Sequence, residues 1–310
     1  MKADLLLAAL LLSPAAAFAA SASNGAPTLR RPLSARAAGL GEAFSAVGGG
    51  ADSLGVNPAG AAAAPAPQLL TTFTSGVSDD AFGFLGYVHP VKAGVIAAGV
   101  AYYDAGSFNA VDVNGAQTTV VAQRDYVGIA GWAMPLGGGL SAGVLGKAYR
   151  FTLAQSASAT GFAGDAGARW ETPLKGVSLG AALQNMGPGV KFEAASDPLP
   201  LTLRGGAAWS LVTKADSGGL TYYSSSRLTL TADAIKVRDE IASGAGGGEF
   251  TLDMGETTSL TIRGAYVFAA GNAGPTFGVG MREGRYFGDY AMVSKRDLGT
   301  VQNFSLGVRF

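Results

Sequence analysis

The chain has 310 residues, balances 22 Lys and Arg against 22 Asp and Glu, carries 47 Gly and one His, and lacks Cys. A net charge of zero leaves no basic excess to neutralise phosphates, which excludes a nucleic-acid binder. With no Cys and only His89, disulfides, thiolate chemistry and Cys- or His-cluster metal sites fall away, so neither metal nor cofactor is expected.

Residues 1–19 read as an export signal: Lys2 supplies the basic start, Leu5 to Leu12 the apolar core, and Ala17-Phe18-Ala19 a small-x-small site, with cleavage after Ala19 or Ala22. The apolar core falls short of the ~20 residues that a spanning helix needs. Residues 20–67 are rich in Ala, Gly and Pro, show little alternation, and hold one short helix around residues 35–47. Leu33, Leu40, Phe44, Val47, Leu54 and Val56 give this piece apolar surface to bury, so it reads as a compact cap and not as a solvated linker. Gly39, Gly41, Gly48, Gly49 and Gly50 look at first like a phosphate loop, but no strand and crossover helix flank them.

From residue 68 to the end the texture is one of alternating segments of about ten residues separated by Gly, Pro, Asp and Asn turns, about fourteen of them. They fall near 68–76, 80–90, 93–104, 121–134, 139–153, 160–172, 176–187, 200–212, 226–237, 247–254, 257–268, 275–283, 285–295 and 301–310. Leu228, Leu230, Ala232 and Ala234 alternate with Thr229, Thr231 and Asp233, and Phe277, Val279 and Met281 with Gly278, Gly280 and Arg282. A soluble sandwich alternates too, so parity separates the two folds only weakly. Strand length favours an all-β transmembrane antiparallel barrel over residues 68–310, because ~9–11 residues suit a tilted membrane strand whereas globular strands average ~5–6.

Connections point the same way, long ones at 105–120, 154–159, 187–199 and 238–246 interleaving with tight ones at 90–92, 135–138, 173–175, 255–256 and 284. The exception is 213–225, long where a short turn is expected, which leaves strand number good to about two. The last segment places Phe304, Leu306, Val308 and Phe310 on one face and ends on an aromatic residue, which resembles the signal by which outer-membrane barrels are handed to their assembly machinery.

Two catalytic-looking strings fail on chemistry. Residues 139–143 match GxSxG around Ser141, but that arrangement needs a histidine after the serine and His89 precedes it. Gly146-Lys147 lacks the first glycine and the hydroxyl residue of a phosphate loop. No catalytic set remains, and no enzyme is expected.

Lys147, Asp165, Arg169, Glu171, Arg204, Asp233, Glu249, Asp253, Arg263, Arg282, Asp289 and Arg309 fall opposite the bulky apolar face of their strands. In a barrel they would line the lumen, because a charge at the lipid midplane costs ~2–4 kcal/mol, and the mixed signs would pair with one another without any ligand. Tyr102, Tyr103, Trp132, Trp170, Trp209, Tyr286 and Tyr290 would form interfacial aromatic girdles, or the core of a sandwich.

Residues 35–60 with Asn57-Pro58-Ala59-Gly60, the string Leu183-Gln184-Asn185-Met186-Gly187-Pro188 followed by Asp197-Pro198-Leu199-Pro200, and the C-terminal strand together resemble the PorV/PorQ family, within the wider FadL-like outer-membrane proteins. The resemblance implies a fourteen-stranded barrel with an N-terminal hatch over residues 20–67 in which Asn57, Pro58, Ala59 and Gly60 form a plug corner. It implies an outer-membrane location in a Gram-negative-type bacterium, contact with outer-membrane lipid and the barrel assembly machinery, and one of two functions. Either a hydrophobic small molecule passes or lodges beside the hatch, or a non-conducting barrel receives a secreted cargo protein for secretion or surface attachment.

Overall fold

The computed structural model describes residues 24–76, 80–111, 115–192, 196–214, 225–269, 273–295 and 299–310. The expected export signal and its cleavage sites lie outside the described residues.

Alternating strands leave unpaired N–H and C=O groups at any free edge, and closure into a ring removes the edges. Fourteen antiparallel strands do so here: β1 Gln68–Ser75, β2 Ala81–Val91, β3 Gly94–Asp104, β4 Gln123–Gly137, β5 Leu140–Leu153, β6 Ala157–Glu171 and β7 Val177–Met186. The second half is β8 Thr202–Lys214, β9 Ser225–Val237, β10 Ser243–Met254, β11 Thr258–Phe268, β12 Gly274–Glu283, β13 Tyr286–Lys295 and β14 Gly299–Arg309. Every strand pairs with its sequence neighbours, and β1 closes on β14 with Gln68 opposite Arg309.

The two faces are the reverse of a soluble sandwich. Phe73, Ile96, Val100, Val144, Phe162, Ile262, Phe277 and Leu306 point outward and are 45–67% exposed, whereas Thr72, Asp125, Lys147, Asp165, Thr276 and Ser305 point inward and are at most 7% exposed. Apolar outside and polar inside is the pattern of a barrel whose outer surface meets hydrocarbon. Outward aromatic side chains gather toward the strand ends: Tyr87, Trp132, Trp170, Trp209 and Tyr286 toward one mouth, Tyr102, Tyr126, Tyr266 and Phe268 toward the other. Tyr103 is a correction to the girdle expectation. It is the neighbour of outward Tyr102, so the pleat turns it inward, where its ring centre lies 3.9 Å from the Arg31 guanidinium.

Strand boundaries shift by up to four residues from the alternation reading, and two of the shifts have a visible cause. β10 begins at Ser243, four residues before the expected 247, because Gly244, Gly246, Gly247 and Gly248 pair on both sides without side chains to reveal a period. The expected loop at 105–120 contains a separate two-stranded sheet, Ser107–Val111 against Gln117–Val121, which leaves β4 to start at Gln123. The long connection between β8 and β9 stands on the mouth that otherwise carries tight turns, with no misplaced strand. Its residues 215–224 lie outside the described residues.

Candidate functional site

Residues 24–67 lie inside the ring and bond to strands all the way round it. The path starts at the mouth of the longer loops, where Asn24 Nδ2 donates to Arg238 O at 2.9 Å, Gly25 N to Pro198 O at 3.0 Å, and Arg31 pairs with Asp80 at 3.0 Å. It ends at the opposite mouth, where Phe310 N donates to Pro67 O at 3.0 Å and β1 begins.

A short helix, α1 Ala35–Gly39, follows Ser34, whose hydroxyl accepts from Arg36 N at 3.1 Å and Ala37 N at 3.5 Å. The helix expected over 35–47 stops early because Gly41 and Glu42 both adopt φ of 61°, left-handed backbone that no helix continues through. Its small side chains permit close approach to the wall: Ala35 and Ala38 are buried against Ala291, and Gly39 O accepts from Thr276 Oγ1 at 2.9 Å.

From α1, Arg36 reaches the centre of the lumen and binds Glu249 in a fork, Nε to Oε2 at 3.0 Å and Nη2 to Oε1 at 2.8 Å. Glu249 also accepts from Arg263 Nε at 2.6 Å, Arg263 Nη1 lies 2.7 Å from Asp289, and Asp52 stands 3.8 Å from Arg36. Burial alone would lower the Arg36 pKa, but the carboxylate of Glu249 more than offsets it and holds the guanidinium above its ordinary value.

A second set of anchors runs along β6 to β9. Arg204 spans Gln184 Oε1 at 2.7 Å and Glu42 Oε2 at 2.7 Å, and Gln184 Nε2 donates to Gly55 O at 3.0 Å. Asp233 accepts from both the backbone and the hydroxyl of Ser45, at 3.0 and 2.5 Å. Arg169 Nε and Ser178 Oγ both donate to Ala46 O, at 2.7 and 3.0 Å.

The expected plug corner sits on this wall. Asn57 caps a 3-10 turn, Pro58–Ala63, accepting from Ala59 N at 3.1 Å. Its amide donates to Ser45 O at 2.7 Å within the segment and to Ala168 O of β6 at 3.0 Å. Ser141 Oγ, the serine of the GxSxG string, donates to Ala59 O at 3.4 Å and has a structural role here. Glycines on both sides make room: on the segment, a Cβ on Gly41 would stand 3.0 Å from Val267 Cγ2 and one on Gly50 would overlap Gln68 Oε1. A Cβ on Gly143 would stand 2.5 Å from Pro58 C, and Cβ atoms on Gly167 and Gly180 would overlap Asn57 Oδ1 and Ser45 O. The segment's own Gly55 and Gly60 face Leu33 and Ser53, within the segment.

The expected lumen charges therefore divide. Arg169, Arg204, Asp233, Arg263 and Asp289 hold the segment directly or through Glu249. Lys147 and Asp165 instead form a buried pair at 2.8 Å inside the wall, where β6 and β7 shift register between Gly164 and Ala166. Asn185, at φ of 59°, completes it by donating N to Asp165 at 2.8 Å and accepting from Lys147 Nζ at 2.7 Å. Asp253, Arg282 and Arg309 lie near the tight-turn mouth, and Glu171 extends into solvent there, 2.8 Å from Arg169. Ser45, Gln184 and Thr231, whose hydroxyl donates to Ala43 O at 2.7 Å, escaped the charge-parity reading because they are uncharged, and Arg36 because it precedes the strands.

Asn57→Ala removes the cap and strands two carbonyls, an expected loss of roughly 2–3 kcal/mol from the docked segment. Limited proteolysis should show faster cleavage within residues 24–67 while heat-modifiable gel migration of the barrel stays unchanged. Asn57→Asp keeps the acceptor but loses both donors, so it should behave like Asn57→Ala, and a wild-type digestion rate for both would exclude the corner as an anchor.

No family model matches the chain, and no curated protein does. Solved structures match at the level of fold. The toluene transporter TodX of Pseudomonas putida superposes with TM-score 0.52 and 13% identity, over 86% of this chain and 96% of its own. A TodX deltaS2S3 mutant, a monoaromatic hydrocarbon channel, gives 0.51 and 14% over 84% and 94%. A FadL homologue of Pseudomonas aeruginosa superposes more loosely, at 0.45 and 11% over 83% and 93%. At these identities the shared feature is the fold, a closed antiparallel barrel of the kind that TodX has.

Proposed function

We propose that this chain is a FadL-like outer-membrane barrel that passes or hosts a hydrophobic small molecule beside an N-terminal hatch formed by residues 24–67. The observation that carries the reading is the way this segment fills the lumen, bonded to strands on every side, so that anything crossing the lumen must displace it. The apolar outer face with aromatic side chains toward both mouths supports membrane insertion, and the fold shared with a toluene transporter supports an apolar solute. On the loop-side half of the lumen, Leu29, Leu33, Phe84, Ala101, Val127 and Ile129, with Thr28, Arg31 and Lys147 beside them, line a mostly apolar cavity of about 20 Å³. That is little more than one water needs, roughly 10–15 Å³, so a solute lodging there requires Leu29 and Leu33 to withdraw.

The PorV/PorQ resemblance, the export signal of residues 1–19 and the assembly role of Phe304, Leu306, Val308 and Phe310 belong to the same proposal. Phe304, Leu306 and Phe310 are 46%, 66% and 67% exposed on the outer face, which is where a recognition partner would reach them.

Deleting residues 29–67 should raise the permeability of reconstituted liposomes to apolar probes well above that of the intact chain. Unchanged permeability would discard the hatch and leave the segment a fixed scaffold.

A further inference from the structure

The tight-turn mouth holds a feature that the hatch does not use. Arg227 of β9, Thr251 of β10, Thr261 of β11, Arg282 of β12, Phe287 of β13 and Arg309 of β14 surround a cavity of about 230 Å³, floored by the Arg36–Glu249–Arg263 network. The carboxylates at this cavity are already engaged. Glu249 lies between Arg36 and Arg263, Asp289 takes Arg263 at 2.7 Å, Asp52 faces Arg36, and Asp253 faces Arg282 at 3.7 Å. Among the described residues Arg227 and Arg309 pair with no carboxylate, and the Nε atoms of Arg282 and Arg309 are buried without a hydrogen-bond acceptor. Arg309 instead lies with its guanidinium 5.3 Å from the centre of the Phe287 ring.

Buried donors without acceptors are costly, and a planar guanidinium fork matches the two oxygens of a carboxylate or phosphate. We propose that this cavity is a binding site for a small soluble oxyanion, held by Arg227 and Arg309 with Arg282 as a third donor. The lining sets five Arg against four carboxylates, which leaves the cavity net positive, and the Thr251 and Thr261 hydroxyls supply further polar partners. The site lies on the other side of the central network from the apolar cavity of Leu29 and Phe84, so it stands whether or not a hydrophobic solute passes.

The test is calorimetric titration of inorganic phosphate into the full chain, in nanodiscs of zwitterionic lipid at neutral pH and low salt. Saturable one-site binding is expected, weakened about tenfold by Arg309→Gln, the loss expected for a charge-assisted donor, and abolished by Arg227→Gln with Arg309→Gln. An absence of saturable binding by the intact chain, or equal affinity in the double variant, overturns the proposal. Arg309 lies in the closing strand, so Arg227→Gln alone covers a failure to fold. It should weaken binding several-fold with unchanged heat-modifiable migration, and wild-type affinity in that variant also overturns the proposal.

Discussion

Glu249→Ala should destabilise the folded barrel by about 3 kcal/mol, the lower end of the range for removing one partner of a buried ion pair. Glu249 is 4% exposed and receives three donors, two from Arg36 and one from Arg263. Without it two guanidiniums share one buried space, with Asp52 at 3.8 Å and Asp289 at 2.7 Å as their remaining partners, which is why the loss falls at the lower end. The readout is the urea midpoint in lipid, compared with Arg36→Met and with the double variant. Arg36 and Glu249 touch, so the double should cost less than the sum of the two singles by an amount within the usual 0.5–3 kcal/mol, roughly, for contacting residues. Strict additivity would show that the network does not join the segment to the wall.

The second large effect is steric. Gly143 and Gly167 are opposite one another on β5 and β6, and Gly180 stands beside them on β7. Together they make a flat window on which the Asn57 corner and Ser45 rest. Gly143→Val or Gly180→Val places a branched side chain where segment backbone already is. Wall strands paired on both sides cannot retreat, so the segment must, at a cost of roughly 1–3 kcal/mol or more. Gly205→Val is the control, since a Cβ there meets nothing within 4 Å. The first two variants should admit apolar probes into liposomes and expose residues 24–67 to protease while the barrel keeps its migration. Tight, protease-resistant Gly143→Val and Gly180→Val proteins would mean that the window is not a seat.

Most of the barrel was legible because its signal is local. In β14 Phe304, Leu306 and Val308 against Asn303, Ser305 and Arg309 can be sorted by counting twos, and the structure places the first group outside and the second inside. The same counting fails at 243–248, where glycines carry no side chain to sort, and at Tyr102-Tyr103, where two like residues on one strand must face opposite ways. The site was legible only in part, because its contacts join residues far apart. Asn57 meets Ala168, and Arg36 meets Glu249, at sequence separations of 111 and 213, and no spacing rule reaches across them. The glycines show the limit most clearly: those within residues 35–60 drew notice as a cluster, whereas Gly143, Gly167 and Gly180 become one surface only once strand register is known.

The chain runs into one mouth at Asn24 and leaves by the other at Pro67, which makes residues 24–67 a thread through a ring and not a lid hinged on it. A lid can be lifted from either side, but a thread joined to β1 at Pro67 can be drawn back only toward the mouth where Asn24 lies. Traction applied near Asn24 would therefore break the anchors in a fixed order. The loop-side bonds of Asn24, Gly25 and Arg31 would go first, then the Arg36 fork, and last the Asn57 corner. Traction from the β1 side would load the β1 pairing with β2 and β14 before it reached the segment. The lumen is thus mechanically polar, yielding stepwise to a pull from one face and resisting a pull from the other with the strength of the wall itself.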